Sequence, residues 1–179
     1  MRTVFFISGP AGVGKTTTSK ALVKALEKSS YISGDDVSHI PVNGRGKPWI
    51  SKETHDLTWE NIASITRNLL RYGFDVVIDY VIFPDDVIWF AERLRGEEVS
   101  MKYVLLLTDE KTLVARDGSR PEDIRMGKRS IILLHEFLEK RIPKKYIIDT
   151  SSHDAEMFRN LINDIKENDR FLFTRFEEV

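Results

Sequence analysis

The stretch Gly9-Pro10-Ala11-Gly12-Val13-Gly14-Lys15-Thr16 matches G-x-x-x-x-G-K-[ST] without a mismatch. Glycines at this spacing let the backbone turn tightly and aim successive N–H groups inward as an anion nest. A helix that starts there adds its positive N-terminal end. Lys15 is placed to reach the β- and γ-phosphates of a nucleotide, the Thr16 hydroxyl to reach Mg²⁺, and Thr17 follows in the first helical turn. Binding of a nucleoside triphosphate with Mg²⁺ is the chemistry implied, with ATP and Mg²⁺ as the expected cofactors.

Three acids stand where strands should end. Asp35 and Asp36 follow a short apolar stretch at 31–33, and Asp79 ends the run Val76-Val77-Ile78. In an open parallel sheet, ligands bind outside the carboxyl ends of the strands. A carboxylate there takes a proton from an attacking hydroxyl or holds Mg²⁺, directly or through water; the plain alternative is a turn or capping Asp. Residues 37–50 hold two Pro and two Gly and read as a loop. Its donors, among them His39, Asn43, Arg45 and Lys47, suit a polyhydroxylated or anionic small substrate. Trp49 is expected to anchor this loop to the core rather than to stack on a ligand. A second charged group, Arg116, Arg120, Arg125, Lys128 and Arg129, flanks the Pro-interrupted segment 120–123. Helices on both sides give it the form of a lid, and arginine forks bind phosphate oxygens bidentately.

The elements that must position these groups alternate. Residues 3–7 read as a buried strand, and a helix from the phosphate loop ends near 28–30. A second strand at 31–33 is followed by the loop and by a helix over about 53–72, with Trp59, Ile62, Thr66 and Leu69 in one stripe, Ile65 beside it and Gly73 at its C′ position. A third strand spans 75–82. Pro84 opens a helix that buries Val87, Phe90, Ala91 and Leu94 and ends at Gly96. The fourth strand covers 103–107, and Thr108 is the expected N-cap of a helix reaching Arg120. Ile131, Leu134, Leu138 and Ile142 stripe the next helix, closed by Pro143. The fifth strand covers 145–150. Residues 151–154 are expected to cap a last helix with Phe158, Leu161, Ile162 and Ile165 on its buried face. The aromatic tail at 170–176 is expected to add an edge strand or to pack across the first helix.

The chain has 179 residues, 27 Lys plus Arg against 28 Asp plus Glu, a net charge of -1 and no cysteine. That length suits one α/β domain with a real core. The charge balance argues against a general nucleic-acid or membrane surface. Without cysteine there are no disulfides, thiolate metal sites or Cys nucleophiles, which fits a reducing compartment. No signal peptide or membrane span is expected, so the expected location is cytoplasmic.

With these motifs the chain resembles the small phosphate-loop kinases related to gluconate, shikimate and adenylate kinases, over nearly its whole length. The resemblance rests on Gly9 to Thr16, on Gly34-Asp35 with His39 four residues on, on Gly46-Lys47-Pro48-Trp49 and on Arg116-x-x-x-Arg120. The G-D-x-x-x-H and G-x-P-W pieces are most similar to the gluconate kinase branch, whose usual Cys-Ser after the third strand is here Asp79-Tyr80. It implies a three-layer α/β/α fold with a five-stranded parallel sheet in the order 2-3-1-4-5. It implies one kinase domain over 1–179, with a substrate-binding insert at about 36–56 and a lid at about 116–129. It also implies an ATP-dependent phosphotransferase acting on a hydroxyl of a small molecule, a sugar acid or related polyol, as a monomer or homodimer. Arg116 would lie on the adenine, Arg120 on phosphates and residues 150–152, Ser151 among them, beside the adenine. Lys15, Asp35, Arg120 and Arg125 form the implied catalytic set; Gly9 to Thr17, Arg116 and Ser151 the nucleotide set; Asp35, Asp36, His39, Arg45 and Asp79 the substrate set; Thr16 and Asp79 the metal pair. A nucleotide-dependent ATPase or switch, or a kinase for an antibiotic or a nucleic-acid end, remain the alternatives.

Overall fold

The apolar run before the phosphate loop forms β1 (Arg2–Ser8), buried from Val4 onward. Burial on both faces is what a central parallel strand requires. In this computed structural model, which describes residues 1–122, 125–151 and 155–174, β1 pairs with β3 (Asp75–Asp79) on one side and β4 (Val99–Leu107) on the other. β2 (Ser29–Ser33) adds beyond β3, and β5 (Ile147–Asp149) beyond β4. The sheet is parallel throughout, and its order, β2-β3-β1-β4-β5, is the expected one. Among the described residues seven α-helices complete the α/β/α layers: α1 (Lys15–Ala25), α2 (Gly34–Ser38), α3 (Lys52–Arg71), α4 (Pro84–Arg93), α5 (Glu110–Gly118), α6 (Lys128–Glu139) and α7 (Ala155–Glu167). α1 packs on α7, and α3 on α2 and α4. Among the described residues no helix is long and apolar enough to cross a membrane.

Several boundaries differ from those expected, each for a local reason. α1 stops at Ala25 because Leu26 turns extended, and β2 then starts at Ser29, in register with Asp75. α2 occupies part of the expected loop; the Ser33 hydroxyl caps it by accepting from the Asp36 N–H at 3.2 Å. β3 ends at Asp79, not at 82. The Ser8 hydroxyl takes both backbone groups of Ile82, accepting its N–H at 2.9 Å and donating to its carbonyl at 2.7 Å, so residues 80–82 bend away from the ladder. Asp109, not Thr108, caps α5, accepting from the Thr112 N–H at 2.9 Å, and α5 ends before Arg120.

α6 is rotated from its expected face. Leu133, Leu134 and Phe137 are buried, whereas Leu138 is 60% exposed. Phe137 stacks on Phe83 with ring centroids 4.5 Å apart, which fixes that rotation. Ile142 is buried but lies beyond the helix end. Ile65 is likewise exposed rather than beside the core stripe of α3. β5 is shorter than expected because residues 144–146 form a 3₁₀ turn.

The described part of the tail lies on β4. Leu172 makes one antiparallel bridge to Lys102, the Phe173 N–H donates to the Met101 carbonyl at 2.9 Å, and Phe171 is fully buried. That covers the part of the β4 edge which β5, pairing only with Leu105–Leu107, leaves open. Ser152, His153 and Asp154 of the expected cap, Asp123 of the expected lid, and Arg175 and Phe176 of the tail lie outside the described residues.

Candidate active site

The parallel sheet brings all five strand ends to one rim, so the phosphate loop, Asp35, Asp79 and Thr150 meet there. The turn out of β1 is tight: a Cβ on Gly9 (φ 138°) would sit 2.2 Å from the Leu106 carbonyl oxygen, so only glycine fits. The Lys15 ammonium folds back to donate to the Pro10 carbonyl at 3.0 Å. Burial pulls its pKa below the usual lysine value; the carboxylates of Asp79 and Asp35 oppose that shift, and Arg120 adds to it.

Asp79 sits beside Ile7 in the ladder, at the foot of the phosphate loop. Its Oδ2 accepts from the Thr16 hydroxyl at 2.6 Å and from the Tyr31 hydroxyl at 2.8 Å. Burial first, then the Asp79 carboxylate, pushes the Tyr31 pKa up, so Tyr31 stays a donor. A hydroxyl and a carboxylate facing each other are the hard oxygen ligands Mg²⁺ takes. Among the described residues no group of three or more acids and histidines is arranged to hold a metal ion, and an ion on this pair would take its other oxygens from phosphate and water.

Across the rim, α2 delivers Asp35. The Tyr80 ring lies flat on the backbone just before it: a Cβ on Gly34 would come within 2.3 Å of that ring. The Asp35 carboxylate opens to the cleft, yet the walls strip much of its water and raise its pKa; Lys15 opposes the rise and Asp79 adds to it. His39 Nδ1 lies 2.6 Å from the Asp35 carbonyl oxygen, which leaves Nε2 for other partners. Arg45 donates to the Ser38 carbonyl at 2.6 Å and to its hydroxyl at 3.1 Å.

Trp49 does not anchor the loop to the core. It is 52% exposed and lines the cleft, with the Lys47 ammonium and the Arg129 guanidinium each 5.8 Å from its ring centre. His55, which sequence patterning does not single out, also lines the cleft, with Nε2 3.4 Å from Asp86 Oδ1 and Nδ1 3.4 Å from Asp56 Oδ1. The hydrogen bond to Asp86 is the main reason its pKa is raised.

The whole forms a cleft of about 1020 Å³ that runs from the phosphate loop to these residues. Ala11 to Thr17, Asp35, Asp36, His39, Arg45, Asp79, Arg116 and Arg120 line it. Gly9, Pro10, Arg125 and Ser151 do not. Arg125 lies outside the lining and donates to the Arg120 carbonyl at 2.7 Å. Ser151 is turned to Asp149 at 2.6 Å and Thr108 at 3.1 Å, whereas Thr150 of the same expected loop lines the cleft. The Thr150 hydroxyl lies 3.2 Å from the Val13 carbonyl and 3.1 Å from that of Leu107, and Arg116 donates to the Thr150 carbonyl at 2.7 Å. The phosphate loop, β4, β5 and α5 are thereby tied together at one residue.

Asp117 is a further residue the sequence did not mark. Only 4% exposed, its carboxylate accepts from the N–H groups of Met126 at 3.1 Å and Gly127 at 2.7 Å, and pairs with Arg120 at 3.3 Å. Burial alone would raise its pKa, but these N–H donors and Arg120 outweigh it and hold the carboxyl below the usual range. One side chain thus pins both ends of the segment between α5 and α6. Asp117→Asn would turn an amide toward two backbone donors and leave one unsatisfied, at a cost of about 1–3 kcal/mol. The expected outcome is a lower Tm and faster hydrogen exchange at Met126 and Gly127; unchanged exchange at both would refute the pinning role.

The family model described as AAA domain matches residues 4–137. No curated protein sequence matches the chain. Among solved structures, a gluconokinase from Sinorhizobium meliloti 1021 superposes with a TM-score of 0.62 at 19% identity, over 92% of this chain and 91% of that one. A shikimate kinase from Bacteroides thetaiotaomicron gives 0.59 at 17%, over 93% and 97%. A tunicamycin resistance protein from Deinococcus radiodurans gives 0.61 at 16%, over 92% and 94%. At these identities the likeness is one of fold. The matched stretch carries the phosphate loop, Asp35, Asp79 and both cleft-lining arginines of α5 and the segment after it, and the chain belongs to the AAA domain family, on the P-loop kinase fold of these structures.

Proposed function

We propose that the chain is a cytoplasmic ATP-dependent phosphotransferase that moves the γ-phosphate to a hydroxyl of a small molecule. The observation that carries this reading is the Asp35 carboxylate in the first turn of α2, lining the same cleft as Lys15 and the phosphate loop. An ATPase needs no such group on the acceptor side; a kinase needs one to orient the incoming hydroxyl. Lys15 and Arg120 stabilise charge on the transferring phosphoryl group, and Arg116 holds the base end of the nucleotide. Mg²⁺, held by Thr16 and by Asp79 directly or through water, would neutralise phosphate charge when bound. Asp35 orients the acceptor hydroxyl and takes its proton as the new P–O bond forms and ADP leaves. The segment between α5 and α6 excludes water as it closes. Arg125 lies outside the cleft lining and acts at most through Arg120. His39 and Arg45 provide donors for a sugar acid or related polyol.

The test is a screen of hydroxyl compounds with ATP consumption read against a blank without acceptor. The expected result is stimulated ADP formation matched one for one by a phosphorylated product. If ATP yields only ADP and inorganic phosphate at one slow rate whatever compound is added, the chain is an ATPase or switch and the kinase reading is wrong.

A further inference from the structure

The acceptor half of the cleft carries three kinds of recognition group, and their numbers are unequal. The acids able to meet hydroxyls are few. Asp86 is already spent: its Oδ2 accepts from the Phe83 N–H at 2.7 Å and its Oδ1 faces His55. That leaves Asp35, with Asp36 beside it, as one place for a hydroxyl.

The cations, by contrast, are in surplus. Among the described residues neither Arg45 nor Lys47 makes an ion pair with a carboxylate; Arg45 is bonded only to Ser38, and the Lys47 ammonium rests over an indole. Arg129 points into the same space from α6 while paired with Glu136 at 2.7 Å. Two cations without a carboxylate partner, Arg45 and Lys47, lining the cleft with Lys47 beside an aromatic face, suit an anionic ligand substituent.

The third kind is apolar. The Trp49 indole stands half exposed in the cleft, and Arg129, which touches it, lies one helical turn before Leu133 on α6. Leu133 in turn lies one turn before Phe137, on which Phe83 is stacked. Trp49, Leu133 and Phe83 all line the cleft and give it an apolar side. Binding sites pair such apolar walls with a few polar groups that fix orientation.

We propose that the acceptor is a small organic anion with an apolar ring body: the ring lies against Trp49, the anionic group meets Lys47, Arg45 and Arg129, and one hydroxyl reaches Asp35. This rests on the phosphotransferase reading and narrows it, away from an open-chain polyol acid. Cations, a carboxylate for one hydroxyl and an apolar face in one cleft match such a molecule group for group.

The test is calorimetric binding in the presence of MgADP, which prevents turnover. Three probes separate the features: 3-phenyllactate has ring, carboxylate and hydroxyl; gluconate has the carboxylate and hydroxyls without a ring; 2-phenylethanol has the ring and hydroxyl without charge. 3-Phenyllactate is expected to bind about tenfold more tightly than either of the others, the size of one lost aromatic or charge contact. Trp49→Leu and Lys47→Gln should each weaken 3-phenyllactate about tenfold and leave MgADP affinity as it was. Trp49 is a surface side chain, so its loss does not threaten the fold. Gluconate binding as tightly as 3-phenyllactate, or a Trp49→Leu variant with unchanged 3-phenyllactate affinity, overturns the proposal. The kinase reading is judged apart, by turnover: tight 3-phenyllactate binding without a phosphorylated product would support this ligand class and count against phosphoryl transfer.

Discussion

Lys15→Ala is expected to abolish phosphoryl transfer and leave the fold intact. The Lys15 side chain contributes little to packing: its ammonium donates to the Pro10 carbonyl of its own loop, and no other hydrogen bond from it is formed among the described residues. Its effect is electrostatic. It stands against two carboxylates, Asp79 and Asp35, in a space that strips water from it, and in such a space a fixed charge acts strongly on a developing one. Removing one preorganised contact to the transition state costs on the order of 10²–10³ in rate, and Lys15 serves both ground-state binding and transfer. Circular dichroism and Tm should match wild type. A second readout follows from its partner. Lys15 lowers the Asp35 pKa, so its loss lets burial and Asp79 raise that pKa further, and the acid limb of any residual activity should move to higher pH. Unchanged turnover in a folded Lys15→Ala variant would remove the central claim.

Asp35→Asn is expected to keep MgATP binding, measured by calorimetry, and to lose transfer by on the order of 10²–10⁴-fold, the usual span of a general base. The amide keeps the size and the Ser33-capped start of α2 but has no basic oxygen. The pH dependence has a definite sign. In the proposed role the carboxylate form accepts the proton, and burial raises its pKa above the ordinary aspartate value. Wild-type activity should therefore fall on the acid side of a pH higher than an unperturbed Asp would set, and Asp35→Asn should show no such limb. Asp79→Asn is the control: with Thr16 and Tyr31 both bonded to its Oδ2, it should change the Mg²⁺ dependence instead of deleting the acceptor step. Full activity of Asp35→Asn would pass the base role to Asp36 or Asp79.

The phosphate loop and the parallel sheet were legible because each depends on neighbours in sequence, while the strand order followed only from the resemblance to small phosphate-loop kinases. Glycine spacing, an apolar run before it and a helical pattern after it fix the loop, and strands alternating with helices fix a parallel sheet. What was not legible depends on partners far along the chain. Tyr31 matters through Asp79, 48 residues away, and nothing in a β-forming Tyr distinguishes that from plain packing. Asp117 looks like any exposed helical acid until the chain returns with Met126 and Gly127. Periodicity placed Leu138 inside because it reports a helical face but not its rotation, which the Phe83–Phe137 stack sets. Trp49 was misread through the usual rule that large aromatics go inside; two cations beside it hold it in the cleft instead.

The bond between Thr150 and the Val13 carbonyl joins residues 137 positions apart. A ribosome adding about 5–20 residues per second separates their synthesis by roughly 7–27 s. Throughout that interval the phosphate loop exists as a sequence without its final support, and the outer edge of β4 has neither β5 nor the aromatic tail to cover it. An uncovered strand edge is a template for pairing with other chains. β5, Thr150 and the described part of the tail thus close two openings late in the birth of the chain: Thr150 braces the phosphate loop, and β5 with Leu172 covers an open strand edge.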